Sequence, residues 1–440
     1  MNKFVIAPQF KRGSPIFFSQ NSVVAYSGGN AVVFPIHVHS MKFAALRCWL
    51  RNPGDIKEKY LKIKEYLDSH KTSYLVDFDY IEEGIVINGD IYPVSYMKWV
   101  QGTRFSEFID ENIDNTHAIE TLAIRFLSMV KELHRIKISH GDLSDANIIV
   151  VPNLPTFDLK LVDYDCLYVP LFEDLEYQYN LQGSPAYQHP KRYNYSNEKA
   201  DYFSELVIYL SLLAYAEKPN LWHKGQEMRL LFNENDFLNP STSAIFKFLE
   251  SLSPRIKILG NVLKKFCEES NTNNLLPLEQ IIQEYSIPTT NTESIPVVIQ
   301  NFSKLSIFLC HSSNDKPQVR ELYKLLKLHL FDPWFDEEKL IPGQDWQKEI
   351  PKAVQKADIV IVCLSRDSVN KKGYIHSEIA YALDEAKKQP EGTIFLIPLK
   401  LEECEVPESL RKWHWVNFFK DDGEKKLLKA LQIKLEKNNN

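Results

Sequence analysis

SIFLCHSSND (Ser306–Asp315) is an apolar run that stops at a histidine, two serines, an asparagine and an aspartate. A run this short and this apolar suits a strand buried on both faces, and its polar ending suits the turn into a helix. The next segments keep to that rhythm. PQVRELYKLLKLHLF places Val319, Leu322, Tyr323, Leu326 and Leu330 on one helical face. Then come DPWFD, a helix from Trp346, the strand ADIVIVCLS (Ala357–Ser365), the helix of SEIAYALDEAKK and the strand TIFLIPLKL (Thr393–Leu401). Strands alternating with amphipathic helices predict a parallel sheet covered on both faces.

An open parallel sheet gathers ligands beyond the carboxyl ends of its strands. Three connections are therefore expected on one edge: His311–Asp315, Asp336–Trp346, and the stretch from Ser365 to Ser377 that delivers Glu378. A carboxylate just after Ser377 at a helix start is what capping and the helix dipole select in any case. Position alone leaves open whether Glu378 serves the helix or a reaction.

The chain before this region reads differently. A seam lies between about residues 268 and 303, where NTNN and SIPTTNTESIP are polar, non-periodic and linker-like, with LPLEQIIQEY a short helical piece between them. Up to about residue 105 the sequence is strand-rich with one helix near 55–68, and from 116 to 268 it is mostly helical, a two-lobed plan.

At 440 residues the chain is long enough for two or three domains. A net charge of −6 argues against nucleic acid as a partner. Six scattered cysteines with no ligand spacing suit a reducing cytoplasm and disfavour disulfides or structural zinc. The longest apolar run, LVIYLSLLAYA (Leu206–Ala216), is too short for a membrane span and predicts a buried helix. The N-terminus lacks the pattern of a signal peptide, so a cytoplasmic protein without a membrane partner is expected.

FLCHSSNDK, PWFDEEKLIPGQDW, ADIVIVCLS and GYIHSEI resemble, in order and spacing, the successive boxes of a Toll/interleukin-1 receptor (TIR) domain over residues 304–435. The resemblance implies a flavodoxin-like α/β fold, self-association through TIR domains, and a BB loop at Pro342 and Gly343. In members that hydrolyse NAD⁺, Glu378 matches the catalytic carboxylate and Tyr374 stands where an aromatic, usually Trp, is found. Ser312, Asp315, Trp334, Pro342 and Gly343 are the further candidates for binding NAD⁺. One carboxylate is enough for this chemistry. Ordinary glycoside hydrolysis needs a second group to protonate the leaving oxygen, whereas nicotinamide leaves NAD⁺ neutral and an anion has only to stabilise the oxocarbenium-like ribose.

His140-Gly141-Asp142-Leu143 with Asn147, LKLVDYD (Leu159–Asp165) and GSPAYQHP (Gly183–Pro190) resemble the catalytic loop, metal-binding segment and activation-segment end of a protein-kinase-like α+β fold. The likeness spans residues 15–268, with a small lobe of about 15–105 and a large lobe of about 106–268; residues 269–303 would be the linker. It implies Asp142 as base, Asn147 and Asp163 as Mg²⁺ ligands, and Gly28, Gly29 and Arg47 as nucleotide-binding groups for ATP. Arg47 stands where the family has a lysine, and the acidic partner on the helix near 55–68 is Glu58 or Glu65. Gly141 replaces the arginine usual before the catalytic aspartate.

Together these features suggest an NAD⁺ glycohydrolase fused to a kinase-like sensor, resembling prokaryotic antiphage-defence and signalling effectors switched on by self-assembly in response to an unknown trigger. The alternative is an atypical Ser/Thr kinase whose TIR domain serves only for protein interaction.

Overall fold

A computed structural model describes residues 14–19, 22–27, 31–38, 42–50, 56–153, 156–172, 183–191, 197–223, 229–288, 305–329, 331–340, 343–370, 375–390 and 393–439. The chain forms two compact units. One contains residues 1–52, 81–101 and 302–440; the other contains 53–80 and 102–301. The expected small lobe is therefore divided: most of its strands group with the C-terminal region, and its helix groups with the helical middle of the chain.

β1 (Ala31–Val38), β2 (Lys42–Trp49) and β4 (Asp90–Lys98) of the first unit, with β3 (Phe78–Ile87), whose residues from Ile81 on belong to it, build a sheet ordered β1-β2-β4-β3, extended beyond β1 by Ser14–Pro15. The turn joining β3 to β4 is Asn88-Gly89, with φ of 55° and 96°. Positive φ at both central positions is what a two-residue hairpin demands, and Asn-Gly is the pair that accepts it most easily. Ile36, Ala44, Leu46 and Val94 form the small core of this sheet.

The C-terminal region of the same unit carries the parallel sheet. Its strands are β7 (Ser306–Cys310), β8 (Asp332–Trp334), β9 (Ile359–Leu364), β10 (Leu396–Lys400) and β11 (Val416–Asn417), ordered β8-β7-β9-β10-β11. Every pairing is parallel, with Phe308 opposite Trp334 and Ile307 opposite Ile359. Period-two alternation sorts the side chains: Ile307, Leu309, Ile359, Ile361 and Leu399 enter one core, and Phe308, Cys310, Val360, Val362 and Leu396 the other. On the first face lie α5 (Lys316–Leu328), through Val319, Leu322, Tyr323 and Leu326, and α8 (Gly423–Asn439), through Leu427 and Leu431. On the second face lie α6 (Trp346–Lys356), through Ile350 and Val354, and α7 (Ile375–Lys387), through Ile379 and Ala382. Leu330 lies outside the described residues. The first core also takes in Ile16 and Val24, which flank short N-terminal strands.

The second unit is built around helices α1 (Ile56–Ser69), α2 (Thr116–Arg135), α3 (Tyr202–Glu217) and α4 (Leu278–Glu284), with the hairpin β5 (Ile148–Asn153) and β6 (Thr156–Leu161). Every residue of α3 from Phe203 to Ala216 is buried, as a helix apolar all round must be. Helix α4 falls within the expected linker. It is tied to α2 by Glu279, whose two oxygens lie 2.8 and 2.9 Å from Nδ1 of His134. No described helix is long and apolar enough to cross a membrane.

Candidate functional site

The crossover from β8, on one side of β7, to β9, on its other side, puts the topological switch point between β7 and β9. There the loop leaving β7 meets the loop leaving β9. Asn314 donates from Nδ2 to Asp367 Oδ2 at 3.0 Å. Beside it Asp315, the residue before α5, is 6 % exposed, and its Oδ2 has no hydrogen-bond partner among the described residues. Burial raises its pKa, against the pull of the Ser365 hydroxyl and the charge of His311. Ser365 and Ser368 close the opposite loop on itself: the Ser368 hydroxyl lies 2.7 Å from the Ser365 amide, and the Ser365 hydroxyl 3.0 Å from the Ser368 amide.

The β7–β8 side of the same edge is held by three residues that sequence reading left out of the site. His311 donates from Nδ1 to the Ser312 carbonyl at 3.0 Å, and its Nε2 lies 3.2 Å from Asp336 Oδ1. Lys316 Nζ reaches the other oxygen of Asp336 at 2.8 Å. Burial opposes ionisation of Asp336, but the hydrogen bonds and charges of His311 and Lys316 outweigh it and hold the carboxyl well below the usual range. A depressed folded pKa gives stability that is complete above the ordinary carboxylate value near 3.8 and is lost as pH falls through the folded value. Asp336→Asn should therefore cost about 1.5–3 kcal/mol at neutral pH, the range for hydrogen bonds to charged groups. The loss should shrink in acid melts, and an equal loss at every pH would refute the assignment.

The sequence candidates distribute unevenly over this edge. Ser312 caps the turn into α5, its hydroxyl accepting from Asn314 N at 3.5 Å. Trp334 stacks on Phe308, with ring centroids 4.9 Å apart and 23° between planes, so its ring belongs to the second core. Gly343 has φ of 94° with open space where a Cβ would stand, so conformation rather than crowding selects glycine there. Glu378 is the fourth residue of α7, in the helix that follows the third loop. Its side chain lies outside the described residues, as do Tyr374 and Pro342.

The second unit brings other candidates together. Asn147 donates from Nδ2 to the Asp142 carbonyl at 2.8 Å and to Asp142 Oδ2 at 3.1 Å. Burial raises the pKa of Asp142, with Asp163 adding to the rise and His140 and Asn147 opposing it. Asp163 has φ of 66°, an uncommon conformation for a residue with a Cβ. Gly141 has φ of 78°, and a Cβ there would stand 2.2 Å from the Cys166 carbonyl oxygen. Its amide donates to Asp201 Oδ1 at 2.9 Å, and the His140 amide donates to Oδ2 of the same carboxylate. The glycine expected to replace an arginine is thus demanded by local backbone. Gly141→Ala should cost about 3 kcal/mol or more, combining left-handed strain with backbone collision; a melting temperature indistinguishable from the parent's would contradict this.

Neither acidic residue expected to face inward from α1 does so. Glu58 is exposed and pairs with Lys62 at 3.6 Å, and Glu65 is exposed. The buried residues of α1 are Lys59, Tyr60 and Ile63. Arg47, in β2 of the other unit, is half-buried; Gly28 and Gly29 lie outside the described residues. Among the described residues no group of three or more His, Cys, Asp or Glu side chains converges as a metal site. Asn147 and Asp163 are the two side chains that would hold the Mg²⁺ implied by the kinase resemblance, with substrate phosphates and water completing its shell.

The C-terminal region is a parallel α/β sheet whose first three β-to-α loops gather at one edge, with a buried carboxylate at its switch point. Residues 307–431, spanning this sheet from β7 into α8, match the family model of the TIR domain. No curated protein matches the chain.

Proposed function

We propose that the C-terminal region is an NAD⁺ glycohydrolase and that the preceding part of the chain senses the signal that turns it on. The observation carrying this reading is the match to the TIR domain over a sheet whose loops after β7, β8 and β9 leave from one edge, with Glu378 in the helix after the third loop. A TIR domain suits signalling or NAD⁺ hydrolysis, and a lone carboxylate is compatible with the second.

In the proposed reaction the ribose C1′–N bond breaks and its electron pair leaves with nicotinamide, which becomes neutral. Glu378 stabilises the positive charge developing on the ribose, and water adds to C1′ and releases one proton, giving ADP-ribose. In this reading Asp315 and Ser312 bind the ribose hydroxyls, Tyr374 covers the nicotinamide end, and the loop of Pro342 and Gly343 gates the cleft on self-association. Trp334 supports the floor of the site through Phe308.

Incubation of the purified chain with NAD⁺ over a range of protein concentrations, with products separated by chromatography, tests the reading. Nicotinamide should appear at a rate rising faster than protein concentration. Intact NAD⁺ at the highest concentration, and under forced oligomerisation, would overturn it.

A further inference from the structure

The segment from Ser14 to Ser27 is tied to the N-terminal sheet at both ends. Ser14 and Pro15 pair with His37 and Ile36 of β1, and Tyr26 and Ser27 pair with Val33 and Val32 of the same strand. What lies between these ends belongs to a different core. Ile16 is fully buried and Val24 is 6 % exposed, and the Val24 amide donates to the Ile16 carbonyl at 2.8 Å. Both join the core on the first face of the parallel sheet, with Leu322 and Leu326 of α5 and Leu427 and Leu431 of α8. The short strand Phe17–Ser19 lies against α5. Tyr26 and Trp99, with ring centroids 5.8 Å apart, pack against the same core, as does Phe43.

A layered α/β region ordinarily closes each face of its sheet with its own helices. Here residues from the other end of the chain help to close the first face, and the second core, among the described residues, takes in none of them. A shared, close-packed core does not leave its two sides free to move independently, as separately closed domains are. The element this reaches is α5. Asp315 stands just before it, and Lys316, its first residue, places its ammonium 2.8 Å from Asp336 Oδ2. We propose that Ser14–Ser27 is a strap through which the N-terminal sheet holds α5, and that Ile16 and Val24 are positioning residues for the Asp315–Lys316 end of the candidate site. A shift of the sheet is then passed to the loops after β7 and β8 as a small slide of α5. The inference rests on the geometry of that edge and not on the reaction assigned to it.

The test uses the full chain and reads amide hydrogen exchange helix by helix. Ile16→Ala removes packing from the first core alone. Exchange should quicken at least about tenfold in α5 and α8, while α6 and α7 on the second face keep the parent's rates. Val354→Ala, which opens the second core, should give the reverse pattern. Equal acceleration in all four helices would mean a general loss of stability, and an unchanged α5 would mean that the strap does not hold it; either overturns the proposal. A double-mutant cycle reads the link to the site. Asp336→Asn should lower the melting temperature by only about half as much in the Ile16→Ala background as in the parent, because α5 no longer holds Lys316 in place. Strictly additive drops would overturn the proposal, since uncoupled sites simply add. Should Ile16→Ala fail to fold, Ile16→Val, one methylene smaller than the parent residue, should show the same pattern at reduced size, and its absence would equally overturn the proposal.

Discussion

Replacing Glu378 by alanine is expected to lower nicotinamide release by about 10²–10³-fold, the loss seen on removing one preorganised electrostatic group from a reacting centre. The effect should fall on kcat with KM nearly unchanged, because the carboxylate interacts with charge that exists only in the transition state. Glu378→Gln is the sharper comparison. It keeps the shape and some hydrogen bonding while removing the charge, so it should lose nearly as much as alanine if the anion is what matters. If the residue only favours the start of α7, both variants should cost no more than about 1 kcal/mol in stability and leave turnover intact. Measuring melting temperature beside turnover separates the two roles. An alanine variant that consumes NAD⁺ at the parent's rate would remove the chemical reading and leave the helix-start reading standing.

The parallel sheet was legible because its signal is strong and local. β9 is buried at all six positions, so it reads as an unbroken apolar run, and the helices between strands announce themselves by their periodicity. The common edge of the three loops then follows from parallel topology alone. His311 and Asp336 were not legible as partners, because 25 residues separate them and only the pairing of β7 with β8 brings them together. Lys59 was missed for another reason. In IKEKYLKIKEYL charged residues alternate closely with apolar ones, and a lysine beside a glutamate reads as solvent-facing. In the fold Lys59 is buried while Glu58 is exposed. Ile16 and Val24 were equally opaque: they flank strands of two or three residues, too short to reveal which core they join.

The second large effect is expected at His134, where a partly buried imidazole bridges two carboxylates. Its Nε2 lies 2.8 Å from Glu205 Oε1 and its Nδ1 2.8 Å from Glu279 Oε1. Burial works against the charge on His134, yet the hydrogen bonds and charges of Glu205 and Glu279 prevail and raise its pKa to about 10. Burial raises Glu205 to about 7 despite His134, with Asp201 and Glu279 adding to the rise. Burial also works against the charge on Glu279, but His134 and Lys131 outweigh it and lower its pKa. Tyr202 packs edge-on against the imidazole, with ring centroids 5.1 Å apart. A raised histidine pKa gives stability that is complete below the ordinary value of 6.5 and is lost as pH rises towards 10. The raised Glu205 adds a cost that accumulates from its ordinary 4.5 to about 7, while the gain from Glu279 is lost in acid as pH falls through its lowered value. The clamp should therefore be strongest near pH 4.5 and weaken steadily above it, first as Glu205 ionises and then as His134 loses its proton. His134→Ala removes the cation bonded to Glu205 and should cost about 3–5 kcal/mol, as stranding a buried partner does. Most of that belongs to the Glu205 bond, because Glu279 is partly exposed and screened. His134→Gln with Glu205→Gln should recover much of the loss, since a neutral amide pair removes the buried charge. Hydrogen exchange over α4 is the direct readout: its protection should collapse in His134→Ala and in the parent at alkaline pH. A fully protected α4 in that variant would show that Leu278, Ile281 and Ile282, which are buried, hold the helix without the clamp.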